Sequence, residues 1–162
     1  MTEKTLIAGV REALTEEMER DERVWVLGED VGRKGGVFLA TEGLYEKFGE
    51  SRVLDTPLAE SSIIGVAIGA AMNGTIPVAE IQFADFIHPA FDQIVSEAAK
   101  IHYRSNGDFR VPTVGRTPWG AVGHLRPDHP QASESFYPPF AVLQGAVRSP
   151  PSHLPRPAHS CL

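Results

Sequence analysis

Arg52-Val53-Leu54-Asp55-Thr56-Pro57-Leu58-Ala59-Glu60, then Ser61 to Met72, then Asn73-Gly74 and Pro77-Val78-Ala79-Glu80-Ile81-Gln82-Phe83, carries the pattern that sets the fold. Arg52-Val53-Leu54 is a brief strand. Ser61 to Met72 is small, apolar and helix-like, and Asn73-Gly74 closes it. Pro77 to Phe83 is a second apolar strand. A strand, a helix and a strand in this order imply parallel pairing, because the chain must cross back over the sheet before it can pair again.

The same alternation extends to both sides. Leu6, Ile7, Val10, Leu14 and Met18 recur at helical spacing with charges between them, which predicts an amphipathic helix. Val24-Trp25-Val26-Leu27 reads as a strand that ends in the loop Gly28-Glu29-Asp30. Thr41 to Phe48 reads as a short helix stopped by Gly49. Pro89 to Lys100 places Phe91, Ile94, Val95 and Ala98 on one face, with Pro89 suited to a first helical turn, and Val111 to Arg116 supplies a fourth strand. The expected fold is α/β, a doubly wound, mostly parallel sheet flanked by helices. Ligands of such sheets sit beyond the carboxyl ends of the strands. That rule gathers the loops 28–36, 55–60, 82–88 and 117–129 on one rim.

From Pro118 the character changes. Residues 118–162 hold nine of the thirteen prolines and no lysine, and their only acids are Asp128 and Glu134. Pro138-Pro139, Pro150-Pro151 and the run Ser152 to Pro157 do not suit helix interiors or central strands. The expected organisation is one domain over 1–137 and an irregular tail over 138–162.

Composition narrows the function classes. The 162 residues are 42% hydrophobic and 22% charged, as in a soluble globular domain. A net charge of -6 argues against binding nucleic acid or an anionic membrane. Cys161 stands alone, so no internal disulfide is available, and a thiol this near the end is expected to be inert. The first 25 residues carry acids and no long apolar run, unlike a secretory or transit segment. No stretch approaches the ~20 apolar residues of a membrane span, and a cytoplasmic location is expected.

Glu60 is the first candidate for chemistry. Its simplest reading is a first-turn acid favoured by the helix dipole, worth about 0.3–1 kcal/mol. The helix it opens, Ser61 to Ala71, is nearly devoid of charge and is expected to be buried. A carboxyl at the mouth of a buried helix suits proton sharing as well as capping. Gly28, Gly35 and Gly36 do not open a helix in the Gly-x-Gly-x-x-Gly pattern, and no Gly-Lys-Ser/Thr is present, so no phosphate cradle is expected. His88, His102 and His124 have no metal-binding spacing and read as loop or helix-face histidines.

Taken in order, several segments resemble one family. They are Gly28-Glu29-Asp30-Val31-Gly32, Gly35-Gly36-Val37-Phe38 with Thr41-Glu42-Gly43-Leu44, and Asp55 to Glu60. Ala79 to Phe86, Pro89 to Val95, Glu97 to Lys100 and Arg116 to Gly120 continue the series. Together they resemble the beta subunit of a thiamine-diphosphate-dependent 2-oxo acid dehydrogenase over roughly residues 4–124, with Ile81 to Asp85 and Pro89 to Gln93 most like the branched-chain enzymes. The resemblance implies a transketolase-like pyrimidine-binding domain. It implies that Glu60 hydrogen-bonds a ring nitrogen of the cofactor's aminopyrimidine, tuning the proton that activates the cofactor, which itself carries the hard chemistry.

By the same resemblance Phe86 stands where the branched-chain enzymes usually have a tyrosine beside the pyrimidine. Gln82 lies on the same rim and is a candidate cofactor-side hydrogen-bond donor, with satisfaction of a local backbone group as the equal alternative. His129, in His129-Pro130-Gln131-Ala132-Ser133-Glu134, matches a family histidine that acts when the acyl group passes to the lipoyl arm. Pro130 and the stretch Leu125 to Asp128 depart from the family there. The implied partners are an alpha subunit, in a heterotetramer of two alpha and two beta chains, and a lipoyl acyltransferase core. The alpha subunit would hold the diphosphate and its Mg²⁺, and K⁺ would lie near the strand at 111–117. The substrate would be a small branched-chain 2-oxo acid. Past His129 the match decays and the family's second domain is missing, as in a truncated or frameshifted chain expected to be inactive alone. Two alternatives stand beside this reading: a pyruvate or acetoin dehydrogenase beta subunit, and a cofactor-free interaction module in which Glu60 only caps its helix.

Overall fold

The computed structural model describes residues 5–118 and 143–145. His124, His129, Cys161, the boundary at 137 and the tail apart from 143–145 lie outside the described residues.

Four parallel strands form one sheet in the order β2-β1-β3-β4. They are β1 (Val24–Gly28), β2 (Val53–Asp55), β3 (Ile76–Glu80) and β4 (Val114–Arg116). The α-helices are α1 (Leu6–Arg20), α2 (Leu44–Phe48), α3 (Glu60–Met72) and α4 (Ile101–Arg104). The expected parallel α/β architecture is present, and the period-two alternation of the strands explains its layers. Val24 and Val26 join Val53, Ile76 and Val78 in one core with Leu14 and Met18 of α1 and Leu44 of α2. Leu27 and Ala79 join a second core with Ile63, Ile64, Ala67 and Ile68 of α3, against which Trp25 packs. Helices therefore cover both faces. β3 lies between two strands and is buried at all five positions. Its Pro77 has no N–H to give, and the ladder to β4 begins one residue later, at Val78↔Val114.

The order of the strands locates the rim. From β1 the chain moves to β2 on one side, and from β2 it crosses to β3 on the other side of β1. The switch point therefore lies between β1 and β3, whose last residues, Gly28 and Glu80, are register partners.

Several elements differ from their sequence reading: β3 ends at Glu80 and β4 begins at Val114, each shorter than expected. The helix expected over 41–48 begins at Leu44, preceded by a 3₁₀ turn at Val37–Leu39. Phe38 and Leu39 have φ of 56° and 60°, which no apolar pattern announces. The helix expected over 89–100 is instead a 3₁₀ segment, Ala84–Ala90, followed by a π-helix, Gln93–Ala98. Pro89 sits inside the first segment and cannot donate an α-helical bond, and the chain widens beyond it, with Ala99 N–H donating to the Ile94 carbonyl at 3.0 Å. α3 buries one face only. Ser62, Val66 and Gly69 are exposed, Val66 by 52%. Among the described residues no helix is long and apolar enough to cross a membrane.

Candidate active site

The end of β2 orders the loop that follows β1. β2 ends at Asp55, whose Oδ1 accepts from the Gly32 N–H at 2.6 Å and so draws the β1 loop toward β2. Thr56 N–H donates to the Gly28 carbonyl at 2.9 Å, extending that link. The β1 loop is knitted further by Gly36 N–H to the Asp30 carbonyl (2.8 Å) and by Thr41 Oγ1 to the Val31 carbonyl (2.7 Å).

Glu60 is the first residue of α3, half-buried, and preceded by Ala59, which offers no side-chain cap. The helix start thus presents its carboxylate and free N–H groups together on the rim. The sequence reading missed Glu29, the residue after β1. Its carboxyl is held above the ordinary carboxylate range, first by burial and then by the charges of Asp30 and Glu60, with Lys34 acting in the opposite sense. Glu29 and Glu60 thus feel one another across the rim. The signal that could have found Glu29 is two consecutive acids directly beyond an apolar strand.

Gln82 lies in the loop beyond β3 and Phe86 in the 3₁₀ segment that follows it, both half-buried. Phe86 packs against the α3-side core and meets Phe83 edge to face, ring centroids 5.6 Å apart. α3 packs against both the sheet and the segment Ala84–Ala90, so the structure places Glu60, Gln82 and Phe86 on the loops and helix start at one end of the sheet. Beside Glu60 is a groove of about 190 Å³ lined by Thr56, Pro57, Ala59, Ser62, Ile63 and Val66. The Thr56 Oγ1 is buried there without a hydrogen-bond partner among the described residues. Among the described residues no cluster of three or more His, Cys, Asp or Glu side chains could hold a metal ion.

The chain is thus a parallel α/β domain with Glu60, Gln82 and Phe86 at one end of its sheet. The family model of the transketolase pyrimidine-binding domain matches residues 3–147, and the chain belongs to that family. It is 61% identical over 137 residues to the 2-oxoisovalerate dehydrogenase subunit beta of Bacillus subtilis, a match covering 85% of this chain and 42% of that protein. Similarity to the Pseudomonas aeruginosa subunit of the same name is 46% over 151 residues, covering 93% and 43%. The pyruvate dehydrogenase E1 component subunit beta of Chaetosphaeridium globosum is 45% identical over 151 residues, covering 93% and 46%. The chain spans less than half the length of these relatives.

Proposed function

We propose that this chain supplies the aminopyrimidine-binding half of a thiamine diphosphate site in the beta component of a 2-oxo acid dehydrogenase acting on branched-chain substrates. The observation that carries this reading is Glu60 at an uncapped helix start on the rim, with Gln82 and Phe86 on the neighbouring loop. An aminopyrimidine offers a donor–acceptor edge and a π face. Glu60 and Gln82 match the edge, and Phe86 matches the face. By the family resemblance, an alpha subunit is proposed as the holder of the diphosphate and its Mg²⁺. K⁺ near 111–117, a two-alpha, two-beta assembly, an acyltransferase core as acceptor and a cytoplasmic location belong to the same proposal.

When bound, thiamine diphosphate supplies the electron sink for loss of carbon dioxide from a 2-oxo acid. The role of this chain is to orient and to manage protons. Glu60 shares a proton with the ring nitrogen it faces, and Glu29, already inclined to retain its proton, stands beside it as a second carboxyl in the same electrostatic environment. Phe86 fixes the plane in which the ring lies. His129 is assigned to the later transfer of the acyl group, and the domain is assigned to 1–137. The 61% identity to a 2-oxoisovalerate dehydrogenase subunit supports the branched-chain substrate over pyruvate, for which the relative quoted is 45% identical.

Titrating thiamine diphosphate and Mg²⁺ into this chain mixed with a cognate alpha subunit tests the reading. Saturable binding that needs both chains is expected, and a Glu60→Gln complex should turn over on the order of a hundredfold more slowly with its fold intact. Equal turnover by Glu60→Gln would remove Glu60 from the chemistry. Absence of binding in the mixture would favour the interaction module.

A further inference from the structure

Glu80 ends β3 at the switch point, and its side chain is fully buried. Oε2 accepts from Arg116 Nη1 at the end of β4, while Oε1 accepts from the Val37 N–H at 3.2 Å. Burial lowers the Arg116 guanidinium to about 10, which leaves it charged at neutral pH. A carboxylate removed from water is tolerated only where its oxygens are partnered, and here the partners come from two different rim segments. Glu80 is thus the joint between β4 and the loop beyond β1.

That loop needs a joint. Phe38 and Leu39 lie in the left-handed region, which bulky L residues rarely adopt unless their surroundings hold them there. The turn is held at both ends: Val37 by Glu80, and Leu39 by Arg11, whose Nη2 donates to the Leu39 carbonyl at 2.6 Å. Gly36 closes against the same carboxylate, since a Cβ there would stand 3.0 Å from Glu80 Oε1. The conformation so held sets the Phe38 ring edge-on to Phe83, centroids 6.2 Å apart, and Phe83 in turn meets Phe86 at 5.6 Å.

We infer that Glu80 is a positioning residue for the pyrimidine-facing ring: by pinning Val37 it fixes the turn bearing Phe38, and through the Phe38–Phe83–Phe86 edge contacts it sets the plane of Phe86. This rests on the reading that Phe86 borders the cofactor. The nearer claim, that Glu80 controls the orientation of Phe86, stands on the geometry alone.

The test uses the full chain with ring-labelled phenylalanine. Glu80→Gln keeps the side-chain shape but replaces one accepting oxygen with an NH₂ donor, which must face either the Val37 N–H or the Arg116 guanidinium, so one of the two anchors is lost. Phe38→Leu removes the first ring and leaves the buried pair intact. Both variants should move the Phe86 ring resonances. In Glu80→Gln the Val37 amide should also exchange roughly tenfold faster or more, while β1 and α3 keep their protection. Mixed with the alpha subunit, both should bind thiamine diphosphate more weakly. Phe86 resonances unchanged in a folded Phe38→Leu chain would overturn the relay, even if Glu80→Gln failed to fold. Phe86→Ala separates the two levels. Unchanged cofactor affinity in that variant would overturn the reading of the site, and the cofactor half of this proposal with it, whatever the rings report.

Discussion

Replacing Gly36 with alanine adds one carbon where the β1 loop closes over Glu80. Gly36 has φ 71° and ψ -179°, a region that glycine occupies almost alone and that costs other residues about 1–3 kcal/mol. The new Cβ would lie 2.7 Å from Thr41 Oγ1 and 3.0 Å from Glu80 Oε1, and both atoms are already held, Thr41 Oγ1 by the Val31 carbonyl and Glu80 Oε1 by the Val37 N–H. Forcing atoms into filled space adds about 1–3 kcal/mol. Gly49 provides the control: with φ 79° and ψ 174° it occupies the same region, and an added Cβ meets nothing within 4 Å. Gly49→Ala should therefore cost the backbone share alone, and Gly36→Ala roughly 1–3 kcal/mol more. For a domain of this size the difference is a further fall in Tm of roughly 3–15 °C, read by circular dichroism and checked by urea midpoints at constant m. Equal melting of the two variants would mean that the loop opens freely, and the account of Glu80 as its anchor would fail.

Arg52 lies far from the rim and gives a second stability prediction. Its guanidinium donates to the carbonyls of Val24 (2.7 Å), Met18 (2.8 Å) and Asp21 (3.1 Å), closing the end of α1 against the start of β1. Arg52→Met should cost at least about 2–3 kcal/mol by chemical denaturation, because Met18 and Val24 are buried and their carbonyls lose a donor; a loss below about 0.5 kcal/mol would show that water replaces the side chain entirely. Glu29 gives a pH prediction. Its folded-state pKa is raised, so its contribution to stability is fully present below the ordinary carboxylate pKa and is lost as pH rises through the raised value. Glu29→Gln should accordingly raise the urea midpoint near pH 7 and lose that advantage below about pH 4; the opposite trend would contradict the burial and charge repulsion assigned to this carboxyl.

The strands and the two long helices were legible because their signals are local. Val24, Val26, Trp25 and Leu27 alternate between two cores as their spacing requires, and α3 falls within a residue of its expected span. The strand expected over 77–83 ends at Glu80 because Ile81 leaves the β4 ladder, although its N–H still reaches the Arg116 carbonyl at 3.0 Å. Glu60, Gln82 and Phe86 were legible as residues of a matched pattern, and parallel topology alone placed their loops on one rim. Glu29 and Glu80 were not. Their significance lies in partners 31, 36 and 43 positions away in the chain, and no periodicity encodes such pairs. The paired left-handed residues Phe38 and Leu39 were hidden for the same reason, because tertiary anchors rather than local preference hold them.

The strand order also has a kinetic consequence. Val24 of β1 pairs with Ile76 of β3, about fifty residues later, so the crevice between them exists only after a long loop has closed. β2 and α2 can associate with β1 beforehand, since their separation is far shorter. An intermediate holding only α1, β1, α2 and β2 would already bury part of one core, yet Gly28 and Glu80 would not have met. Closure of the crevice is therefore a late step, which only the docking of β4 on β3 can follow. A mutation that slows β1–β3 docking delays assembly of the rim, even when every rim side chain is unchanged.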